Sequence, residues 1–138
     1  MATRPRTHEF EVTVDREGTA RSGLGGTPIR REDAWWAEHL VLAGLVRCTL
    51  ASLAYAARRA ELEASAEGRA RGVVTKRDED GLYAFVEIES SLDVELSPAP
   101  ERGAVVELLD WTERGCFVGN SLTAPPRYRW TVNGEEIR

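Results

Sequence analysis

Residues 82–96 read LYAFVEIESSLDVEL, apolar at Leu82, Ala84, Val86, Ile88, Leu92, Val94 and Leu96. Alternation of this kind marks a half-buried β-strand. A strand of that length spans roughly 50 Å, so a bend is expected near Ser90 and Ser91. Residues 64–74 carry small side chains at Ala64, Ala66, Gly68, Ala70 and Gly72. They read as the partner strand of a hairpin whose loop covers about residues 77–81. That loop sets Arg71 opposite Glu87 and Arg69 opposite Glu89, each pair worth about 0.2–1 kcal/mol. The small-residue face lets a helix approach the sheet closely.

That helix lies just upstream. Residues 33–62 read as helical and include Trp35, Trp36 and an apolar run over residues 40–57. Arg47 sits near the middle of the run, and a cation at a bilayer centre costs about 2.5–3.5 kcal/mol. The run is therefore a core helix and not a membrane span. It carries more apolar surface than one small sheet can cover, which predicts a partner chain. Trp35 and Trp36 are expected in core or interface packing.

A first strand is expected over residues 8–14, with Phe10, Val12 and Val14 on one face, followed by a turn at residues 15–18 and a glycine-rich stretch. Downstream, Ser97-Pro98-Ala99-Pro100 introduces a second helix over residues 101–114. Its stripe is Ala104, Val105, Leu108, Leu109 and Thr112, and Gly115 is its C-terminal cap. A last strand over residues 127–132 places Tyr128, Trp130 and Val132 on one face. Strand, long helix, hairpin, helix and strand make an α+β chain with antiparallel sheet. With no repeat or linker, residues 1–138 read as one domain.

Composition narrows the chemistry. The 138 residues are 42% hydrophobic and 30% charged with a net charge of −5, a globular balance. The charge offers no basic field for nucleic acid or an anionic membrane. All but one of the 18 basic residues are Arg, Lys76 being the exception, a skew that reads as base composition. Cys48, Cys116, His8 and His39 lack the close pairing of a structural zinc site, so no metal is expected. The N-terminus has no apolar leader run, which points to the cytoplasm and to reduced thiols.

Cys48 lies within the apolar helix, where a thiol is normally an inert small hydrophobe. A functional reading needs a nearby cation to favour the thiolate. Arg47 points about 100° away around the helix. Arg16 has two readings: it continues the inward face of the first strand and must be paired, or the strand has ended at Asp15 and Arg16 is an exposed turn residue. Cys116 follows Gly115 at a helix end, an accessible junction.

Two runs carry a resemblance: Glu38-His39-Leu40-Val41-Leu42-Ala43-Gly44-Leu45-Val46-Arg47-Cys48-Thr49-Leu50, and Glu113-Arg114-Gly115-Cys116-Phe117-Val118-Gly119-Asn120-Ser121-Leu122. With Arg16-Glu17-Gly18 after the first strand, they resemble the osmotically inducible protein C / organic hydroperoxide resistance (OsmC/Ohr) family. Phe117 stands where many relatives have Pro.

The resemblance implies an OsmC-like fold, with antiparallel sheets packed around a long central helix in an intertwined homodimer. It implies a cofactor-free, thiol-dependent peroxidase acting on organic hydroperoxides. Cys48 would be oxidised to a sulfenic acid and Cys116 would resolve it as a disulfide, which a small thiol or dithiol reduces. Arg16 would favour the thiolate and bind peroxide, and Glu38 would hold Arg16. A straight helix separates Glu38 from Cys48 by about 15 Å. Hence either the helix breaks after Glu38 or Glu38 works across the dimer; a continuous helix with Glu38 solvated far from every cysteine rejects both. The alternative is a non-catalytic OsmC-like dimer that binds a small hydrophobic ligand or senses oxidation.

Overall fold

A computed structural model describes residues 4–32 and 34–138. The chain divides into two compact units, Met1–Ala37 and Glu38–Arg138.

The first unit is built on a short antiparallel pair, β1 (Val12–Val14) and β2 (Ala20–Ser22). Asp15 organises the turn between them: its carboxylate accepts the N–H groups of Glu17 and Thr19, both at 3.0 Å, and pairs with Arg21 at 2.8 Å. Those contacts hold the Asp15 carboxyl below its usual range, the Arg21 hydrogen bond first among them. Gly18 closes the turn at a φ of +85°, a conformation that side chains with a Cβ rarely adopt. The strand is shorter than residues 8–14, because backbone pairing begins only at Val12. The face expected to be inward is bare: Phe10, Val12 and Val14 are 83%, 69% and 64% exposed. Trp35 and Trp36 are exposed as well, not packed in a core.

The second unit starts with α1 (Ala37–Arg59), an unbroken helix four residues shorter at its start than expected. Leu45, Thr49, Leu53 and Ala57, spaced by four, form its buried stripe. By length and composition α1 could cross a membrane, but that stripe is the part of it buried in the protein core. Leu40, Val41 and Tyr55 remain exposed on the helix.

β3 (Glu63–Lys76) and β4 (Tyr83–Ser97) form the predicted hairpin. β5 (Arg127–Val132) and β6 (Glu135–Glu136) complete a sheet of order β3-β4-β5-β6. β4 and β5 run parallel while the other pairs are antiparallel. The sheet is thus mixed, because α2 (Arg102–Arg114) carries the chain back along it before β5 begins. The hairpin register differs from the expected one: Arg71 lies opposite Glu89 and Arg69 opposite Ser91. A bulge between Val73 and Val74 shifts the pairing. Arg71 still reaches Glu87, diagonally, at 3.9 Å. β4 runs unbroken through Ser90 and Ser91, and the irregularity lies nearer the loop, where Val86 has no partner in the register.

One core cluster joins Leu53 of α1 with Leu92, Val94 and Leu96 of β4, Val105, Leu108 and Leu109 of α2, and Trp130 and Val132 of β5. Ala104, expected in the α2 stripe, is exposed; the other four stripe residues are buried. β6 was not legible as a strand, although the Asn133-Gly134 turn that makes it has both residues at positive φ, 50° and 81°, the usual chemistry of a tight hairpin. Asn133 also exchanges side-chain hydrogen bonds with the backbone of Leu96, at 2.8 and 3.2 Å, which binds the end of β4 to the β5–β6 turn.

The glycines of β3 permit the close helix approach. A methyl group at Gly68 would stand 3.0 Å from Leu92 Cδ2, 3.1 Å from Ser91 O and 3.2 Å from Val46 Cγ1 of α1. Gly68→Val is therefore expected to lower stability by about 1–3 kcal/mol through overpacking. Thermal denaturation checks this, and an unchanged melting temperature would show that α1 does not press on β3 there.

Candidate active site

A second buried cluster, distinct from the one around Trp130, joins Leu45 of α1, Ile88 of β4 and Cys116, with Cys48, Phe85 and Val118 packed against it. It brings the two cysteines together. Cys48 is half-buried on α1 and Cys116 is fully buried; both are free thiols.

Local backbone chemistry fixes Cys116. α2 ends at Arg114, and the Gly115 N–H donates to Trp111 O at 3.0 Å. A side chain at Gly115 would collide with Ser52 Oγ of α1, 2.7 Å from the methyl position. Ser52 itself donates to Thr112 O at 2.7 Å, clamping α1 to α2. Cys116 then caps a short helix, α3 (Phe117–Ser121), accepting the Gly119 N–H on its sulfur at 3.4 Å. This helical turn was not expected from the sequence; Phe117 stands at its first position, largely exposed.

Four influences set the Cys48 proton affinity. Burial is the largest and raises the pKa, and the adjoining Cys116 thiol raises it further. The backbone N–H groups of Val118 and Phe117 act the other way, donating toward the Cys48 sulfur. The net effect holds Cys48 above the ordinary thiol value. None of these dominant groups is a cation. Arg47, the neighbour in sequence, is exposed.

Two hydroxyl groups surround the second sulfur. Thr49 Oγ1 lies 3.3 Å from Cys116 Sγ and donates to Leu45 O at 2.8 Å. The Tyr128 phenol interacts with both Cys116 and Thr49. Burial and the Cys116 thiol raise the Tyr128 pKa well above that of free tyrosine. Neither Thr49 nor Tyr128 was singled out from the sequence. A polar residue within the apolar i, i+4 stripe of α1, and a Tyr on the inward face of the last strand, were the available signals.

Glu38 and Arg16 stand differently. α1 continues without a break from Ala37, and Glu38 is exposed in its first turn, where a carboxylate also favours the helix dipole. The predicted break is absent, so ten residues of continuous helix separate Glu38 from Cys48 of its own chain, which leaves action across a dimer as the remaining reading of Glu38. Arg16 occupies the exposed turn after β1, matching the second of its two readings. Among the described residues there is no group of acidic, His and Cys side chains suited to a metal.

No family model matches the sequence, and no curated protein does. Solved structures do match. An OsmC-like protein of unknown function from Vibrio cholerae superposes with a TM-score of 0.74 at 15% identity, over 92% of this chain and 100% of that one. The fold is that of the OsmC/Ohr proteins. An organic hydroperoxide resistance protein from Elizabethkingia anophelis, crystallised with thiocyanate, shares the OsmC-like fold with a TM-score of 0.69 at 16% identity, over 94% and 98% of the two chains. An OsmC-like protein from Mycoplasma pneumoniae gives 0.68 at 18% identity over the same shares. The OsmC-like fold thus accounts for nearly the whole chain, as the sequence resemblance implied, although β4 and β5 pair in parallel where antiparallel sheet was expected.

Proposed function

We propose that this protein is a thiol-dependent peroxidase that reduces organic hydroperoxides in the cytoplasm. The observation that carries the reading is the gathering of two free thiols into one buried cluster, Cys48 from α1 and Cys116 from the cap of α3. Structural neighbours named for organic hydroperoxide resistance agree with it.

In the proposed cycle the Cys48 thiolate attacks the terminal peroxide oxygen. The O–O bond breaks, an alcohol leaves after taking up a proton, and Cys48 becomes a sulfenic acid. The Cys116 sulfur then attacks the Cys48 sulfur, forming the disulfide and releasing water. A small dithiol or thiol returns both to the reduced state. Half-buried Cys48 is the one open to substrate and buried Cys116 the one shielded from it, which suits these roles. Apolar neighbours such as Leu42 and Phe85 suit an alkyl tail.

Arg16 is proposed to stabilise the thiolate and bind the peroxide, with Glu38 holding Arg16 across a homodimer. The bare face of Phe10, Val12 and Val14 on the first unit and, separately, the exposed Leu40 and Val41 on the second support such an assembly, since exposed apolar surface marks association. Sedimentation or light scattering at twice the chain mass is the expected result.

The test of the reading is consumption of tert-butyl hydroperoxide and of hydrogen peroxide with a dithiol reductant, the organic substrate being consumed faster. A pH profile tests Arg16. Burial favours the neutral thiol, so below the Cys48 pKa each pH unit raises the thiolate fraction about tenfold. A guanidinium lowers that pKa, so Arg16→Ala should move the midpoint of Cys48 alkylation to higher pH. An unmoved midpoint removes Arg16 from the site.

A further inference from the structure

We infer that Thr49 and Tyr128 form a hydroxyl pair that positions Cys116 for attack on the oxidised Cys48, a role that rests on the peroxidase reading for its place in the cycle. Geometry assigns each atom a part. A Thr hydroxyl has one proton, and Thr49 places it on Leu45 O at 2.8 Å. Its oxygen, 3.3 Å from Cys116 Sγ, is left to accept the thiol proton. That contact directs the S–H toward α1.

The remaining partners approach the same sulfur as donors. The Gly119 N–H reaches it at 3.4 Å, and the Tyr128 hydroxyl, which interacts with both Cys116 and Thr49, comes from β5 to the same point beside Gly119. Burial keeps the phenol protonated well beyond the ordinary tyrosine range, so it remains a donor wherever the thiol chemistry operates. Gly119 makes the arrangement possible: a methyl group there would stand 2.5 Å from Tyr128 Oη and 3.3 Å from Cys116 Sγ. The sulfur is thus held by the Thr49 oxygen and the Gly119 N–H, with the Tyr128 hydroxyl beside it as the inferred second donor.

In the resolving step, the Cys116 S–H bond breaks and its S–S bond to Cys48 forms. The Cys48 S–OH bond breaks, and the departing hydroxide takes the proton as water. Charge builds on the Cys116 sulfur as its proton departs, and donors aimed at that sulfur stabilise it. Tyr128 and Thr49 are therefore positioning residues, acting through Cys116.

The test uses two oxidants. Diamide, which takes two electrons and two protons from a pair of thiols, forms the Cys48–Cys116 disulfide without any peroxide chemistry. Tyr128→Phe is expected to slow that disulfide about tenfold or more, the loss expected from a hydrogen bond to a charging group, and Thr49→Val to slow it severalfold because the S–H is no longer directed toward α1. Thr49→Ser, which keeps the hydroxyl, should restore the rate. Alkylation of Cys48 by iodoacetamide should stay within about twofold of wild type in all three variants, since their contacts are to the other sulfur. With one equivalent of organic hydroperoxide, Tyr128→Phe should accumulate trappable Cys48 sulfenic acid while disulfide lags. Diamide rates equal to wild type in both Tyr128→Phe and Thr49→Val overturn the inference, as does a wild type that forms no disulfide. A wild type inert to peroxide, with the diamide difference intact, removes the peroxidase reading and leaves the positioning role standing.

Discussion

Cys48→Ser protein is expected to lose organic hydroperoxide consumption by roughly a thousandfold or more, the scale on which removal of a reacting nucleophile acts. A serine hydroxyl keeps the shape of the site but supplies no thiolate, and the thiolate is the attacking species. Cys116→Ser should behave differently. Its Cys48 is oxidised once at the wild-type rate and then stalls as sulfenic acid, with no intramolecular disulfide on a non-reducing gel. A small thiol present in excess can still turn that variant over through a mixed disulfide. The pair of variants therefore separates first attack from resolution. Equal consumption by wild type and Cys48→Ser, or none by wild type, leaves the non-catalytic dimer that binds a hydrophobic ligand or senses oxidation.

The second large effect concerns the core. Trp130 is fully buried, packed with Leu92, Val94, Leu109 and Val132 in the cluster that joins sheet to α2. Its indole N–H donates to Glu113 Oε2 at 2.8 Å, and the same oxygen receives Arg138 at 2.9 Å. Trp130→Ala empties that space and is expected to cost about 3–5 kcal/mol, a large share of the roughly 5–15 kcal/mol that holds a domain folded. At fixed protein concentration the melting temperature should fall by roughly 10–20 °C. Trp130→Phe keeps most of the ring and leaves Glu113 its Arg138 partner, so about 1–2 kcal/mol is expected. A Trp130→Ala protein melting within a few degrees of wild type would show that the sheet and α2 are held together elsewhere.

Periodicity read well where one face of an element is buried and the other wet. The β4 alternation from Ile88 to Leu96, the β5 face of Tyr128, Trp130 and Val132, and most of the α2 stripe came directly from it. It failed where pairing depends on a single residue. A bulge that leaves Val86 unpaired shifted the hairpin register and turned the loop end of β4 over, so that Phe85 packs inward while Val86 and Leu82 lie exposed, the reversal of faces that a one-residue slip produces. Ala104 matched the stripe spacing yet lies exposed, because a small side chain contributes little to choosing the buried face. The first strand was read too long for a related reason: Phe10, Val12 and Val14 alternate correctly, but only Val12 and Val14 pair with β2.

Of the candidate site, Cys48 and Cys116 were legible as residues, and their roles came from family resemblance. Their proximity was not derivable from spacing, since it depends on Ser52 tying α1 to α2 and on Gly115 letting the chain turn against α1. Thr49 and Tyr128 were hidden for a similar reason. Tyr128 sat on the face shared with Trp130 and Val132, and Thr49 within the apolar run of the long helix, where a hydroxyl is indistinguishable from core packing until its partner is known.

The order of apolar and polar residues by itself determined the class of fold and which faces turn away from water, because burial follows a local repeat. Tertiary structure alone decided the parallel joining of β4 to β5, the unbroken α1, and the sulfur of Cys116 held between Thr49 and Tyr128 beside Cys48. Those features arise from contacts between segments distant along the chain, and no local pattern records which distant group will arrive.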